Sequence, residues 1–211
     1  MAFEEYDDYE QEQLVKEWLN KNWFTIIAGI ALGIGGLWGY AKWQNSNIQH
    51  RQDAALEYSQ LEQVLSLDDM SEATQMIADY ESKYGTNIYT MKAKLMAAGK
   101  LVEQGKTAEA KQLYLSLIEA KPDKPIAEMA RLRMARLLVS EAEYTAALTQ
   151  LSLVQSNAYQ TIVEEITGDV YLAQGETEKA QDAFQLALNE GEGYSGRQIV
   201  EMKLADVKPV K

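Results

Sequence analysis

The segment QGKTAEAKQLYLSLIEAKP, residues 104–122, decides the fold, because QGETEKAQDAFQLALNEGE at residues 174–192 repeats its pattern. Steps of three or four residues place side chains on one face of a helix. Each copy opens with a glycine turn that separates its helix from the one before. A small residue, an aromatic and an apolar residue recur at one spacing, as Ala110, Tyr114 and Leu117 and again as Ala180, Phe184 and Ala187.

Two further copies of this pattern extend it along the chain. Residues 141–157 fit between the first two copies, and residues 71–82 form a weaker one. Their marker positions are Ala147, Leu151 and Val154, and Ala73, Ile77 and Tyr80. Helix breakers fall between these segments at intervals that suit helical hairpins, and the chain has only three prolines. The sequence therefore predicts an all-α domain of eight helices and a tail after residue 48.

The spacing resembles that of the tetratricopeptide repeat (TPR) family, whose unit is two antiparallel helices in about 34 residues. Gly168 and Tyr171 match the glycine and tyrosine of the family's first helix, whereas the family tryptophan is absent. We predict four degenerate repeats, at residues 54–87, 91–122, 128–157 and 161–190. An irregular helical bundle is the alternative.

Repeats of this kind bury their apolar faces only by stacking, so the fold is predicted to be a TPR-like α-solenoid. The last repeat of a solenoid needs a cap. Residues 197–207, RQIVEMKLADV, are predicted to supply a capping helix. Its inward face would carry Ile199 and Met202, joined by Leu204 or Val207.

A second decisive segment, NWFTIIAGIALGIGGLWGYA at residues 22–41, carries no charged side chain. A helix of this length spans about 30 Å, the thickness of the hydrocarbon core of a bilayer. The run is too long for a cleaved signal peptide, its upstream segment is acidic, and no small-x-small cleavage site follows. We predict a single transmembrane signal anchor over residues 22–43. Its interface anchors would be the four tryptophans of the chain, Trp18, Trp23, Trp38 and Trp43.

Glycines form two faces on the predicted anchor. One face carries Gly29, Gly33 and Gly36, and the other carries Gly35 and Gly39 together with Ala28. Small residues four apart let another membrane helix approach closely, so a helix partner is predicted. The alternative is that glycine is simply common in membrane helices.

The anchor divides the chain into an acidic tail (1–21), the anchor (22–43), a juxtamembrane linker (44–53) and the TPR-like domain (54–211). The first 22 residues carry seven acids against two lysines, which favours a solvated, partly disordered end over a docking motif. Lys16 and Lys21 before the anchor match Lys42 and Arg51 after it. The count of basic residues is therefore equal on the two sides of the anchor, and the positive-inside rule does not orient it.

The composition argues against several kinds of chemistry. A net charge of −12 argues against a nucleic-acid partner, and the absence of cysteine excludes disulfides and thiol chemistry. The only histidine, His50, has no second imidazole or thiol nearby with which to bind a metal or activate a nucleophile. Gly191, Gly193 and Gly196 spell GxGxxG, but they follow a helix and are predicted to form a loop. We predict no catalytic residue, metal or cofactor, and no enzyme activity.

Resemblance to the TPR family implies that the first helix of each hairpin lines a groove for peptides or proteins. Eight positions are carried over to this sequence: Lys92, Leu95, Met129, Leu132, Arg136, Ile162, Glu165 and Asp169. Their mixed chemistry suggests a broad protein surface. A local cluster of arginines, Arg131, Arg133 and Arg136, is interpreted as a solvated face near Glu128 and Glu141.

The acidic tail, the glycine-rich anchor with Trp38, Tyr40 and Trp43 behind it, and the degenerate repeats together resemble the bacterial YfgM family. The resemblance implies an ancillary subunit of the SecYEG translocon, anchored in the inner membrane with a cytoplasmic tail and a periplasmic domain. It further implies association with the periplasmic chaperone PpiD. Whether the groove binds unfolded client proteins or only the chaperone stays open. A membrane-tethered adaptor of inverted topology, with a cytoplasmic TPR domain, is the alternative.

Overall fold

A computed structural model of the chain describes residues 8–67, 69–120, 124–190 and 193–207, and every regular element in these ranges is helical. The helices are α1 Asp8–Ser66, α2 Met70–Tyr84, α3 Ile88–Glu103, α4 Thr107–Glu119, α5 Lys124–Ser140, α6 Tyr144–Ser152, α7 Gln160–Ala173, α8 Thr177–Glu190 and α9 Arg197–Val207, with a 3₁₀ turn at Asn157–Tyr159. The all-α prediction is confirmed. Gly191, one of the glycines of the predicted GxGxxG loop, lies outside the described residues.

Contacts divide the chain into two units, residues 1–53 and 54–211. In the first unit, α1 runs without a break from Asp8 through the anchor and through residues 44–53. The described part of the acidic tail is therefore helical, although the sequence favoured partial disorder. One ion pair at helical spacing supports it, since Lys16 Nζ lies 2.6 Å from Glu12 Oε1. The first seven residues of the tail lie outside the described ranges.

The second unit is a stack of helical hairpins. The end of α1 pairs with α2, where the hydroxyl of Tyr80 donates to the carbonyl of Ala54 at 2.9 Å. The next three hairpins are α3/α4, α5/α6 and α7/α8. Each helix from α2 on contacts the next, and α5 contacts both α3 and α7 across the stack. The marker alanines Ala73, Ala110, Ala147 and Ala180 are fully buried, as are the aromatic positions Tyr114 and Phe184. This is the arrangement expected of TPR-like repeats.

Two helices approach closely in the last hairpin, where Gly168 on α7 faces Phe184 on α8. A methyl group at Gly168 would stand 2.4 Å from Cε1 of the Phe184 ring, far inside van der Waals contact. Phe184 itself has no exposed surface. The glycine that the sequence matched to the family is therefore required by packing.

Three hairpins close with the same turn. The N–H of Gly105 bonds to the carbonyl of Val102, and the next N–H, of Lys106, bonds to that of Leu101, a pair of bonds that caps α3. Gly175 and Glu176 repeat this pattern after α7. Ala142 repeats it after α5 with φ at 61°, in the left-handed region that favours glycine.

Replacing Ala142 with glycine should raise the free energy of unfolding by about 0.5–1 kcal/mol, because it removes the steric cost of a left-handed alanine. Urea denaturation of the detergent-solubilised full chain, followed by circular dichroism, measures the change. Ala78→Gly in the exposed middle of α2 is the control and should lower stability by about 1 kcal/mol. Equal losses in both variants would contradict the prediction.

The capping helix is confirmed as α9, but its predicted inward face is wrong in part. Ile199 and Met202 are 51% and 53% exposed, whereas Leu204 and Val207 are buried together with Val200. Two apolar stripes compete along this helix. Lys203 selects between them, because its ammonium binds Glu165 and Asp169 of α7 and so fixes the rotation of α9.

Candidate functional site

The candidate surface is the face formed by the first helices of the hairpins, on which eight groove residues were predicted. On α3, Lys92 is exposed and Leu95 is buried. On α5, Leu132 is buried as well, so neither leucine lines an open groove and both belong to the core. Glu165 is buried too. The remaining predicted residues are half-buried or exposed: Met129, Arg136, Ile162 and Asp169.

The three arginines of α5 do not form one solvated cluster, because each of them has a separate partner. Arg131 Nη1 donates to Gln150 Oε1 at 3.0 Å. Arg133 Nη1 donates to the carbonyl of Leu95 at 3.3 Å. Arg136 Nη2 lies 3.6 Å from Glu165 Oε2. Each arginine therefore contacts a different helix of the stack.

The two acids predicted to lie near those arginines also have other partners. Glu128 is buried and accepts the N–H of Gln155 at 3.1 Å, just beyond the end of α6. Glu141 pairs with Lys111 of α4. That hydrogen bond from Lys111 lowers the pKa of Glu141. Glu128 therefore fastens its own hairpin and Glu141 joins two consecutive hairpins, so neither acid balances an arginine patch.

A network of charges centred on Glu165 connects α5, α7 and α9. Glu165 accepts from Lys203 Nζ at 2.8 Å and from the hydroxyl of Tyr194 at 2.8 Å. Lys203 also donates to Asp169 Oδ2 at 2.7 Å. The predicted groove acids are thus occupied by the chain's own capping helix. This end of the face is closed by internal contacts.

Burial and hydrogen bonding oppose each other at these two acids. Burial raises the pKa of Glu165, but the bonds from Lys203 and Tyr194 outweigh it, so the pKa lies below its usual value. Asp169 has fewer donors, and burial holds its pKa above the usual value. At neutral pH, burial therefore makes the ionised form of Asp169 unfavourable, and the ammonium of Lys203 offsets part of that cost.

The middle of the face carries residues that sequence reasoning missed. Met96 is 40% exposed and follows Lys92 by one helical turn on α3. The hydroxyl of Tyr58, on α1, approaches Met96 Sδ at 3.9 Å, and Lys92 Nζ lies 5.6 Å from the centroid of the Tyr58 ring. Helical spacing from Lys92 could have indicated Met96. The crossing of Arg133 onto α3 has no signal in the sequence.

The anchor presents the other candidate surface. Its helix is long and apolar enough to cross a membrane, and no side chain of that apolar window is buried within the chain. The predicted packing glycines all lie on open surface, since a methyl group added at any of them would meet no atom within 4 Å: Gly29, Gly33, Gly35, Gly36 and Gly39. The predicted interface tryptophans are exposed as well: Trp18, Trp23, Trp38 and Trp43.

Residues that could bind a metal ion are not grouped in the part of the chain that the structure describes. Within those ranges, no three His, Asp or Glu side chains are placed to share an ion. The arrangement offers helix faces and charged side chains for contact with other proteins.

The fold and its exposed faces define a class, a TPR-like solenoid that follows a candidate membrane helix. Comparison with known families agrees: residues 16–209 match the family described as a tetratricopeptide repeat-like domain, and the chain belongs to that family. No solved structure shows significant similarity to the chain.

Curated relatives narrow the resemblance. A protein of Haemophilus influenzae is 24% identical over 97% of this chain and 98% of its own length. One from Aggregatibacter actinomycetemcomitans is 26% identical over 94% of this chain and 98% of its own length. One from Escherichia coli is 23% identical over 94% of this chain and 95% of its own length. Each carries the name ancillary SecYEG translocon subunit. The resemblance to the YfgM family is confirmed.

Proposed function

We propose that this protein is a non-enzymatic scaffold in the bacterial inner membrane that associates with the SecYEG translocon through its anchor. Similarity over nearly the full length to relatives named as ancillary subunits of that translocon carries the proposal. The order of the two units, a candidate membrane helix and then a TPR-like solenoid, supports it.

The proposal includes a topology and a role. The tail lies in the cytoplasm and the solenoid in the periplasm, where it links a PpiD-type chaperone to newly translocated proteins. The resemblance to the YfgM family supports this part, and the solenoid provides the protein-binding surface that such a link requires. Unfolded client proteins are a second class of partner for the same surface.

Purification of the intact complex in mild detergent tests the association. SecYEG subunits should remain bound to an affinity-tagged full chain through washing, together with a PpiD-type chaperone. Their absence, with an unrelated single-pass protein as the control, would contradict the proposal. Topology is tested separately: added protease should digest the solenoid in intact spheroplasts, and protection of the solenoid would support the inverted adaptor.

The identity of the groove's partner can be tested by photo-crosslinking from Met129, which is half-buried on the first-helix face. The buried Leu132 is unsuitable, since a bulky probe there would disturb the core. Labelling of many nascent chains supports direct client binding. One dominant product of chaperone size supports binding of the chaperone only.

The anchor glycines give a prediction of their own. Gly33→Leu combined with Gly36→Leu should preserve membrane insertion, which depends on apolar length, and should reduce co-purification of SecYEG at least about fivefold. Leucine side chains on this open face would hold a partner helix away. Carbonate extraction measures insertion and immunoblotting measures retention.

The control is a pair of leucines placed away from the face of Gly29, Gly33 and Gly36, Ala31→Leu with Ala41→Leu. This pair adds similar bulk and apolar surface to the same helix. Equal retention of SecYEG in the glycine variant and the control would reject the packing role.

A further inference from the structure

Two cations on the first-helix face have no acidic partner among the described residues. Lys92 of α3 and Arg133 of α5 form no ion pair there, although the whole chain carries a net charge of −12. Two other cations of these helices are neutralised: Lys94 Nζ lies 2.7 Å from Glu81, and Arg136 lies beside Glu165. Unneutralised cations in an acidic protein mark a place where an anionic group is favoured.

Arg133 is held in place before any partner arrives. Its Nη1 donates to the carbonyl of Leu95, across the helix interface, and lies 3.8 Å from the position that a side chain at Gly99 would take. Burial raises the pKa of the Tyr114 hydroxyl, and the charge and hydrogen bond of the Arg133 guanidinium oppose that rise. A guanidinium has five donor hydrogens in one plane, and the hydrogen bond to Leu95 that fixes one of them also orients the other four. A preorganised cation binds a carboxylate at a smaller entropic cost.

Lys92 and Arg133 flank an apolar contact point. Along α3, Lys92 is followed one turn later by the exposed Met96, and one turn further by Gly99, beside which Arg133 lies. Seven residues of helix span about 10 Å, which an extended peptide crosses in about three residues. The methionine thioether between the cations is flexible and suits apolar side chains of different shapes.

We infer that Lys92, Met96 and Arg133 form a recognition site for an acidic peptide segment, in which two carboxylates about three residues apart flank an apolar side chain. The inference rests on the proposed function, because it names the chemistry of the segment that the scaffold binds. The site ends at Arg136, whose charge is taken up by the Glu165 network. Because the end of the face at Glu165 is closed by contacts within the chain, the surface left open to a partner lies on α3 and α5.

A fluorescein-labelled peptide of about twelve residues, in which Asp and Glu alternate with Leu, tests the inference by anisotropy with the full chain in detergent. The peptide with Lys in place of every acid should not bind. Lys92→Gln combined with Arg133→Gln should weaken binding about 20-fold, and Lys92→Gln alone about fivefold. The matched control, Lys106→Gln combined with Lys179→Gln, removes the same charge from exposed positions and should change binding less than about twofold.

Three results would overturn the site. They are failure of the acidic peptide to bind, equal binding of the lysine peptide, and equal effects of the two double variants. Binding of phosphatidylglycerol vesicles in place of the peptide would assign the cations to a lipid surface and also overturn it. Retention of SecYEG by the same variants is measured separately, so that a chain that keeps SecYEG but ignores the peptide contradicts only this inference.

Discussion

Replacing Gly168 with alanine should lower the free energy of unfolding of the solenoid by about 3 kcal/mol. The new methyl group would overlap the Phe184 ring at 2.4 Å, and Phe184 has no exposed surface toward which to move. The two helices must therefore separate, or the ring must leave its rotamer. For a domain of this size the loss corresponds to a fall in Tm of about 6–12 °C.

Gly99→Ala is the matched control for this change. It also adds one methyl group to the first helix of a hairpin, but its nearest neighbour there is the flexible end of Arg133 at 3.8 Å. It should leave stability unchanged or raise it by up to about 1 kcal/mol, because alanine favours a helix over glycine. Phe184→Leu added to Gly168→Ala should recover part of the loss. Similar Tm values for the two alanine variants would mean that the close approach does not limit packing.

Replacing Lys203 with methionine should cost about 2–3 kcal/mol at neutral pH. The change keeps the length of the side chain but leaves Glu165 and Asp169 partly buried without the ammonium that binds both. Lys179→Met is the control, because Lys179 lies over the Tyr171 ring as Lys203 lies over the Phe184 ring, and it pairs with an acid, Glu176, but on the open surface. It should cost less than about 0.5 kcal/mol.

The cost of Lys203→Met should shrink on acidification. In the wild type, the lowered pKa of Glu165 gives stability that is present above the pKa of the unfolded chain and is lost as the pH falls through the folded value. Without Lys203, burial is less opposed and the pKa of both acids rises, so that protonation in mildly acid solution relieves the variant. Urea titrations at pH 7 and pH 5 measure this difference. A cost that is independent of pH would mean that lost packing, and not charge, accounts for it.

The repeat pattern predicted the fold because it depends on short-range spacing. Ala73, Ala110, Ala147 and Ala180 lie where two helices must come close, and each is fully buried. Gly168 and Phe184 follow the same principle of close helix packing, since the large ring on α8 requires the absence of a side chain on α7. The left-handed Ala142 was missed, although alignment with Gly105 and Gly175 places it at the same turn.

The candidate site was harder to predict because its contacts join residues far apart in sequence. Family matching placed Leu95 and Leu132 on the correct helices, but it could not determine that their side chains turn into the core. The rotation of α9 depends on Lys203 and Glu165, which lie 38 residues apart. No local pattern distinguishes the stripe of Ile199 and Met202 from that of Val200 and Leu204.

The position of Lys203 on α9, which follows the last hairpin, has a consequence for the order of events during synthesis. Because the chain is synthesised from its N-terminus, α7 is complete before Lys203 of α9 has been added. Until then Glu165 and Asp169 keep their water shells, and the last hairpin holds two hydrated carboxylates on its open side. The emergence of α9 thus converts a hydrated, temporary surface into a closed one.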